Sequence, residues 1–233
     1  MGCELAAELA LHREENKLQI TIIEAAPHVL SGIEPLACEA EKRLRSLDVA
    51  LTLNSPVKLI EDGHATLQSG KKIPYDIGIW CGGVTGHPLL GTLTVPLAKG
   101  NFVTVDNHLR IPGHPNVYCI GDSASCLDTT SGKPYPKLAS IAIVMGDHVA
   151  AAIAAKSAGT EPDAFHTHLD PIAVPLGGAY ALVLQKVAGL AEGLPGWVVR
   201  RGLDLDLLEA IFPVEKSVEL LQEQEEAYEE SRT

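Results

Sequence analysis

Gly2 stands directly before an amphipathic stretch, GCELAAELALHREEN, that spaces its apolar residues like a helix. Glu24 closes the next run, KLQITIIEA, 22 positions after Gly2. The β-branched residues of that run predict a short strand. A helix-opening glycine and a strand-terminal acid at this spacing match the later part of a dinucleotide-binding turn. The chemistry would be that of holding a pyrophosphate. Glycine lets the backbone come close, and the free N–H groups and positive dipole end of a helix favour the anion. The acid would accept hydrogen bonds from ribose hydroxyls. Taken alone the pair is weak, because a strand-terminal Glu is more often a simple polar stop.

A second constellation is NVYCIGDSA, with Gly121 and Asp122. It reads as a strand ending in Gly-Asp. A carboxylate at the carboxyl end of a parallel strand faces the crevice where α/β sheets bind ligands, and it can accept hydrogen bonds from sugar or ribityl hydroxyls. The plain alternative is a turn after a strand. The histidines point to less. HTHLD places His166 and His168 at i, i+2 with Asp170 nearby, but no third ligand has a matching context, so no metal is expected. His87 and His114 sit in GHP turns. No GxSxG elbow supports a Ser-His-Asp nucleophile.

These residues need elements to position them. EPLACEAEKRLRSLDVAL predicts a helix running into a strand, and VKLIEDGHATLQSGKKIPYD a small antiparallel meander with turns at Asp62-Gly63 and Ser69-Gly70. DIGIWCGG predicts a buried strand closed by Gly82 and Gly83. FVTVDNHLRIPGHPNVYCIGD holds two strand candidates around Pro112-Gly113. KLASIAIVMGDHVAAAIAAKSAG predicts a long apolar helix stopped at Gly159. IAVPLGGAYALVLQK then predicts one or two strands, PGWVVRRGLDLDLLEAIF a helix, and EKSVELLQEQEEAYEES an acidic terminal helix. Strands alternating with helices argue for parallel α/β layers. Such a sheet normally begins with a strand, whereas this chain begins with a helix.

The bulk numbers narrow the classes. The chain has 233 residues and is 46% hydrophobic, enough to bury a real core. The formal net charge of -12 would repel a phosphate backbone or an anionic membrane surface, so nucleic acid is excluded as a first partner. Cys3, Cys38, Cys81, Cys119 and Cys126 form no CxxC pair. They read as reduced, mostly buried thiols of a cytoplasmic protein. Charged residues in the first helix argue against a signal peptide, and no apolar run of ~20 residues predicts a membrane span.

The runs GCELAAELA, ITIIEAAPHVL, DIGIWCGGVTGHPLL and VTVDNHLRIPGHPNVYCIGDSA, in this order, resemble the two-dinucleotide-binding flavoproteins. The likeness is to type II NADH dehydrogenases and to the AIF-like ferroptosis-suppressor NAD(P)H:quinone oxidoreductases. It covers roughly residues 2–155. In that family an inserted NAD(P)H domain splits an FAD domain. The resemblance implies an α/β, Rossmann-like fold present in part. Residues 1–80 would be a truncated NAD(P)H domain, 81–160 the returning half of the FAD domain, and 161–233 a small C-terminal region. It implies NAD(H) and FAD as cofactors, with hydride passing from NADH to flavin and electrons to a quinone-like or other small acceptor.

Residue by residue, Gly2 matches the last glycine of the NAD(P)H loop, and Glu4 the acid near nicotinamide and flavin. Glu24 matches the ribose acid. Its charge would repel a 2′-phosphate, and no Arg follows, so NADH is expected over NADPH. Cys81, Gly82 and Gly83 match the crossover back to the FAD domain, Gly121 and Asp122 the FAD-binding Gly-Asp, and Lys137 the flavin-facing lysine of the AIF-like branch. Glu4 and Lys137 are the expected catalytic pair.

The departures are as informative. Type II dehydrogenases carry an AQxAxQ pattern where this chain has Ala139 to Val144, with both glutamines gone. That weakens the expectation of a respiratory quinone site and favours the AIF-like branch. Residues 215–233 carry seven Glu against one Lys and one Arg, so a solvated helix is expected there, not a basic interfacial one. Trp197 with Arg200 and Arg201 is the one basic-aromatic cluster, read as packing plus surface charge. The first two glycines of the loop and the strand before them would lie upstream of Met1. Three readings follow: a later portion of an NADH:acceptor flavoenzyme, a fragment that needs a complementary N-terminal half, or a nucleotide-binding module without activity. Peripheral contact with the inner membrane face and oligomerisation stay open.

Overall fold

The computed structural model describes residues 1–12, 18–167, 172–185, 189–209 and 216–223. They form two compact units, one of residues 1–81, 170–206 and 220–233, the other of residues 82–169 and 207–219.

In the first unit, α1 (Gly2–Leu11) buries Cys3, Ala6, Ala7 and Ala10, a face at helical spacing. β1 (Thr21–Ile23) pairs in parallel with β2 (Ala50–Thr52). Between them runs α2 (Glu34–Ser46), which has proline in its first turn and Arg43 and Arg45 in its last, where cations suit the helix dipole. Its Leu36, Ala40 and Leu44 are fully buried. β3 (Val57–Glu61), β4 (His64–Leu67) and β5 (Lys72–Pro74) form the expected antiparallel meander. Gly63 and Gly70 supply the positive φ, +74° and +87°, that its turns require.

A C-terminal hairpin completes this core. β11 (Ile172–Pro175), β12 (Ala181–Gln185) and β13 (Gly189–Ala191) are antiparallel. Val174, Leu176 and Leu182 join Ala7, Leu36 and Leu44 in one buried cluster. The β11–β12 turn is held from two helices. Arg43 of α2 donates from Nε to the Leu176 carbonyl at 3.1 Å and from Nη2 to the Gly177 carbonyl at 3.2 Å. Its guanidinium lies 4.4 Å from the centroid of the Tyr180 ring. The Gly178 N–H donates to Glu8 of α1 at 3.2 Å. Gly177 has φ +86°, and a Cβ there would sit 2.9 Å from the Ala7 carbonyl oxygen. α4 (Gly193–Glu209) follows, as expected from PGWVVRRGLDLDLLEAIF. Its Arg200 pairs with Asp204, and the Arg201 guanidinium lies 5.9 Å from the Trp197 ring.

In the second unit, β7 (Phe102–Thr104) sits between β6 (Leu97–Ala98), antiparallel, and β10 (Ala124–Ser125), parallel. β8 (Arg110–Ile111) and β9 (His114–Tyr118) form a hairpin around Pro112-Gly113. α3 (Ala139–Ser157) buries Ile141, Met145, Val149 and Ala152, and Gly159 at φ +76° follows its end. Ile141, Met145 and Val149 pack with Val103, Leu109, Ile111, Tyr135 and Phe165.

Several expectations need correction. Residues 76–83, expected as a buried strand, form no strand, and Ile77, Ile79 and Trp80 are more than half exposed. An alternating apolar run becomes a strand only beside a neighbour that takes its backbone hydrogen bonds. Asp122 does not end a parallel strand. β9 stops at Tyr118 and pairs only with β8 among the described residues, and residues 121–123 form a 3-10 turn. The thiols are not mostly buried: Cys3 and Cys126 are, Cys119 is half-buried, and Cys38 and Cys81 are exposed. No membrane span was expected, yet α3 is long and apolar enough to cross a membrane by length and composition. One of its faces nevertheless lies in the core of the second unit. Residues 216–223 are helical. The remainder of the expected acidic tail, and His168 and Asp170 of HTHLD, fall outside the described residues.

Candidate functional site

The first unit gathers four of the expected residues at the N-terminus of α1. Among the described residues no side chain caps that terminus, which leaves its first-turn N–H groups available to an anion. A Cβ on Gly2 would sit 3.3 Å from Cys81 Cβ, closer than ordinary contact, so glycine is what lets residue 81 lie against the turn. Glu4, in the first turn, lies 2.6 Å from the Met1 amino group through Oε2. Glu24 follows β1 directly. Its backbone N–H continues the ladder to Thr52, and its Oε1 accepts the Ala26 N–H at 2.9 Å. Burial is the main cause that pushes the Cys3 thiol up, the Met1 ammonium opposes, and Glu4 and Glu24 add to the rise.

The second unit holds Gly121, Asp122 and Lys137. Gly121 has φ +63°, a conformation glycine adopts freely, and its N–H meets Met145 Sδ at 3.3 Å. A Cβ there would touch Ala142 of α3 at 3.4 Å. The exposed Asp122 lies in the turn that follows. Lys137 donates to the Ala124 carbonyl, and its Nζ stands 4.6 Å from the Phe102 ring centroid. Desolvation pulls the amine below the ordinary lysine value, against the opposing pull of Asp122, Cys119 and Cys126. Cys126 is pushed up to about 11, chiefly by burial, and burial also raises Cys119. Neither is a ready thiolate at neutral pH. Gly82 and Gly83 are exposed at the start of this unit, Gly83 with φ +103°. Glu4 and Lys137 belong to different units.

Sequence reasoning missed the Phe102 platform under Lys137 and the loop that Asp106 organises. Asp106 Oδ1 accepts the N–H groups of His108 and Arg110 at 2.9 Å each, and Oδ2 meets Arg110 Nε at 3.3 Å. The run DNHLR carried that signal, since Asp favours turns in which it bonds to the backbone two residues on.

The pyridine nucleotide-disulphide oxidoreductase family model matches residues 1–146. This chain belongs to that family. Among its relatives, an internal alternative NAD(P)H-ubiquinone oxidoreductase of Solanum tuberosum mitochondria is 31% identical over 133 residues, 57% of this chain and 26% of the relative. A type II NADH:quinone oxidoreductase of Staphylococcus aureus is 30% identical over 141 residues, 59% of this chain and 35% of the relative. The chain thus matches about a quarter to a third of the length of these curated relatives. In solved structures, NDH2 from Plasmodium falciparum in complex with NADH superimposes with a TM-score of 0.73 at 16% identity. The match covers 92% of this chain and 62% of that one. The sulfide:quinone oxidoreductase of Aquifex aeolicus gives 0.70 at 16% identity, over 92% and 55%. These likenesses show the fold: α/β, of the Rossmann-like kind expected from the sequence.

Proposed function

We propose that this family member serves an NADH-dependent flavoprotein oxidoreductase, with α1 and β1 forming part of the nicotinamide nucleotide site. The observation that carries the reading is the uncapped N-terminus of α1, where Gly2 lies against Cys81, with β1 and its closing Glu24 packed beside that helix. The residues present fit a dinucleotide. The first-turn N–H groups of α1 would hold pyrophosphate oxygens, Gly2 would keep the approach clear, and Glu24 would accept ribose hydroxyls. The charge on Glu24 disfavours a 2′-phosphate, so NADH is the expected form.

Gly121 and Asp122 would hold ribityl hydroxyls of FAD, with Gly82 and Gly83 at the return into the flavin half. When bound, FAD supplies the two-electron chemistry between NADH and a quinone-like or other small acceptor. Lys137 would bear on the flavin ring, and Glu4 is the acid expected near the nicotinamide. Lys137, desolvated and stacked on Phe102, offers a fixed ammonium donor. The two glutamines absent from Ala139 to Val144 favour an acceptor other than a respiratory quinone. The reading places the protein in the cytoplasm, with peripheral contact at the inner membrane face.

The test is purification of the chain followed by flavin absorbance and NADH-dependent dye reduction with added FAD. Yellow protein with dye reduction supports the reading. A chain that binds neither NADH nor FAD overturns it. A second reading, a nucleotide-binding module that works only with a complementary polypeptide, draws on one observation. Among the described residues β1 is paired only with β2, and β9 only with β8. It expects NADH binding without flavin or dye reduction until a first half is co-expressed.

A further inference from the structure

Residues 161–167 cross the second unit as a strap without regular structure. Glu161 Oε1 lies 3.8 Å from Arg110 Nη1. His108 Nδ1 lies 3.0 Å from the Asp163 carbonyl oxygen. The Phe165 N–H donates to the Asn107 carbonyl at 2.6 Å. The Phe165 ring is 3% exposed and meets the rings of Tyr135 and His148 edge-on, both at 5.4 Å. His148, on α3, has its Nε2 sealed from solvent and, among the described residues, without a hydrogen-bond partner.

A neutral imidazole tolerates that enclosure, because an unprotonated nitrogen forgoes only an acceptor bond. An imidazolium does not, because a buried cationic N–H without an acceptor carries the full desolvation penalty. We infer that His148 is a pH-sensitive latch whose protonation releases the Phe165 strap from the second unit. Desolvation already holds this ring below the ordinary histidine value, and His108 acts in the same direction.

The surrounding charges do not rescue the cation. Among the described residues Asp163 is the one group that opposes, and it is exposed and screened. Asp106 is engaged with Arg110, which also meets Glu161. Tyr135 accepts the Thr167 N–H through its hydroxyl at 3.5 Å, and His166 lies within the field of Asp128. Asp147, the neighbour on α3, is exposed. Opening the strap gives Nε2 access to water.

The test is hydrogen exchange of the full chain between pH 8 and pH 5, read on a peptide spanning 161–167 and corrected for intrinsic exchange. In the wild type, protection is expected to fall as pH drops below about 6.5, by about tenfold for each unit that burial holds the ring down. His148→Phe keeps an apolar ring without a proton to gain, and its protection should be flat with pH. His148→Gln, a second non-titrating variant, should also be flat. His108→Asn should keep the fall. Flat protection in the wild type overturns the proposal. So does an undiminished fall in both His148 variants, or a fall abolished by His108→Asn alone.

Discussion

Glu24 spends one carboxylate on two tasks. Oε1 holds the turn after β1 through the Ala26 N–H, and the negative charge would meet the ribose of a bound nucleotide. Glu24→Gln retains an acceptor for Ala26 but loses the charge. The expected outcome is NADH binding weakened by roughly tenfold, about the worth of one charge-assisted hydrogen bond, with a smaller preference over NADPH. Fluorescence titration with both nucleotides checks this, and an unchanged preference would remove Glu24 from the ribose role. The thiols give a second expectation. At pH 8 a mild alkylating agent should modify Cys38 and Cys81 first, while Cys3 and Cys126 react late, because they are buried and their thiols are pushed up. Peptide mass mapping over time reads the order. Spacing along the chain was enough to find Gly2 and Glu24. It could not show Phe102 under Lys137, since residues 35 positions apart meet only through the folded sheet and its loops.

Elements built from local signals were legible. The meander follows from its alternation and from glycines at turns of positive φ, α1 from apolar residues at helical spacing, and α3 from a long apolar run stopped at Gly159. Residues 76–83 carry the same kind of alternation as a strand, yet remain exposed, because pairing depends on a neighbour that no local pattern specifies. The β11–β12 turn was legible only as two glycines. Its importance comes from Ala7, Glu8 and Arg43, far away in sequence. Gly177→Ala places a Cβ against the Ala7 carbonyl at positive φ, and should cost roughly 1–3 kcal/mol. Arg43→Met leaves two carbonyls without their donor and loses the contact with Tyr180, again about 1–3 kcal/mol. Urea unfolding measures both, and a midpoint unchanged in either variant would show the turn to be loosely held.

Across the whole molecule, the first unit draws its core from both ends of the chain. Leu182 of β12 is fully buried beside side chains of α1 and α2. Leu182→Ala should therefore destabilise by about 2–5 kcal/mol. It should also lower hydrogen-exchange protection in α1, some 170 residues upstream, as much as in the hairpin itself. Protection lost in the hairpin alone would mean that the N-terminal helices hold together without it.

The grip of Arg43 on Gly177 has a further consequence for a chain still on the ribosome. The two residues are separated by 134 positions. At a synthesis rate of about 5–20 residues per second, α2 emerges roughly 7–27 s before the turn it must hold. Throughout that interval Ala7, Leu36 and Leu44 lack the Leu176 and Leu182 side chains that later cover them. Translation speed through residues 46–176 thus sets how long a nascent-chain chaperone can find the two N-terminal helices uncovered.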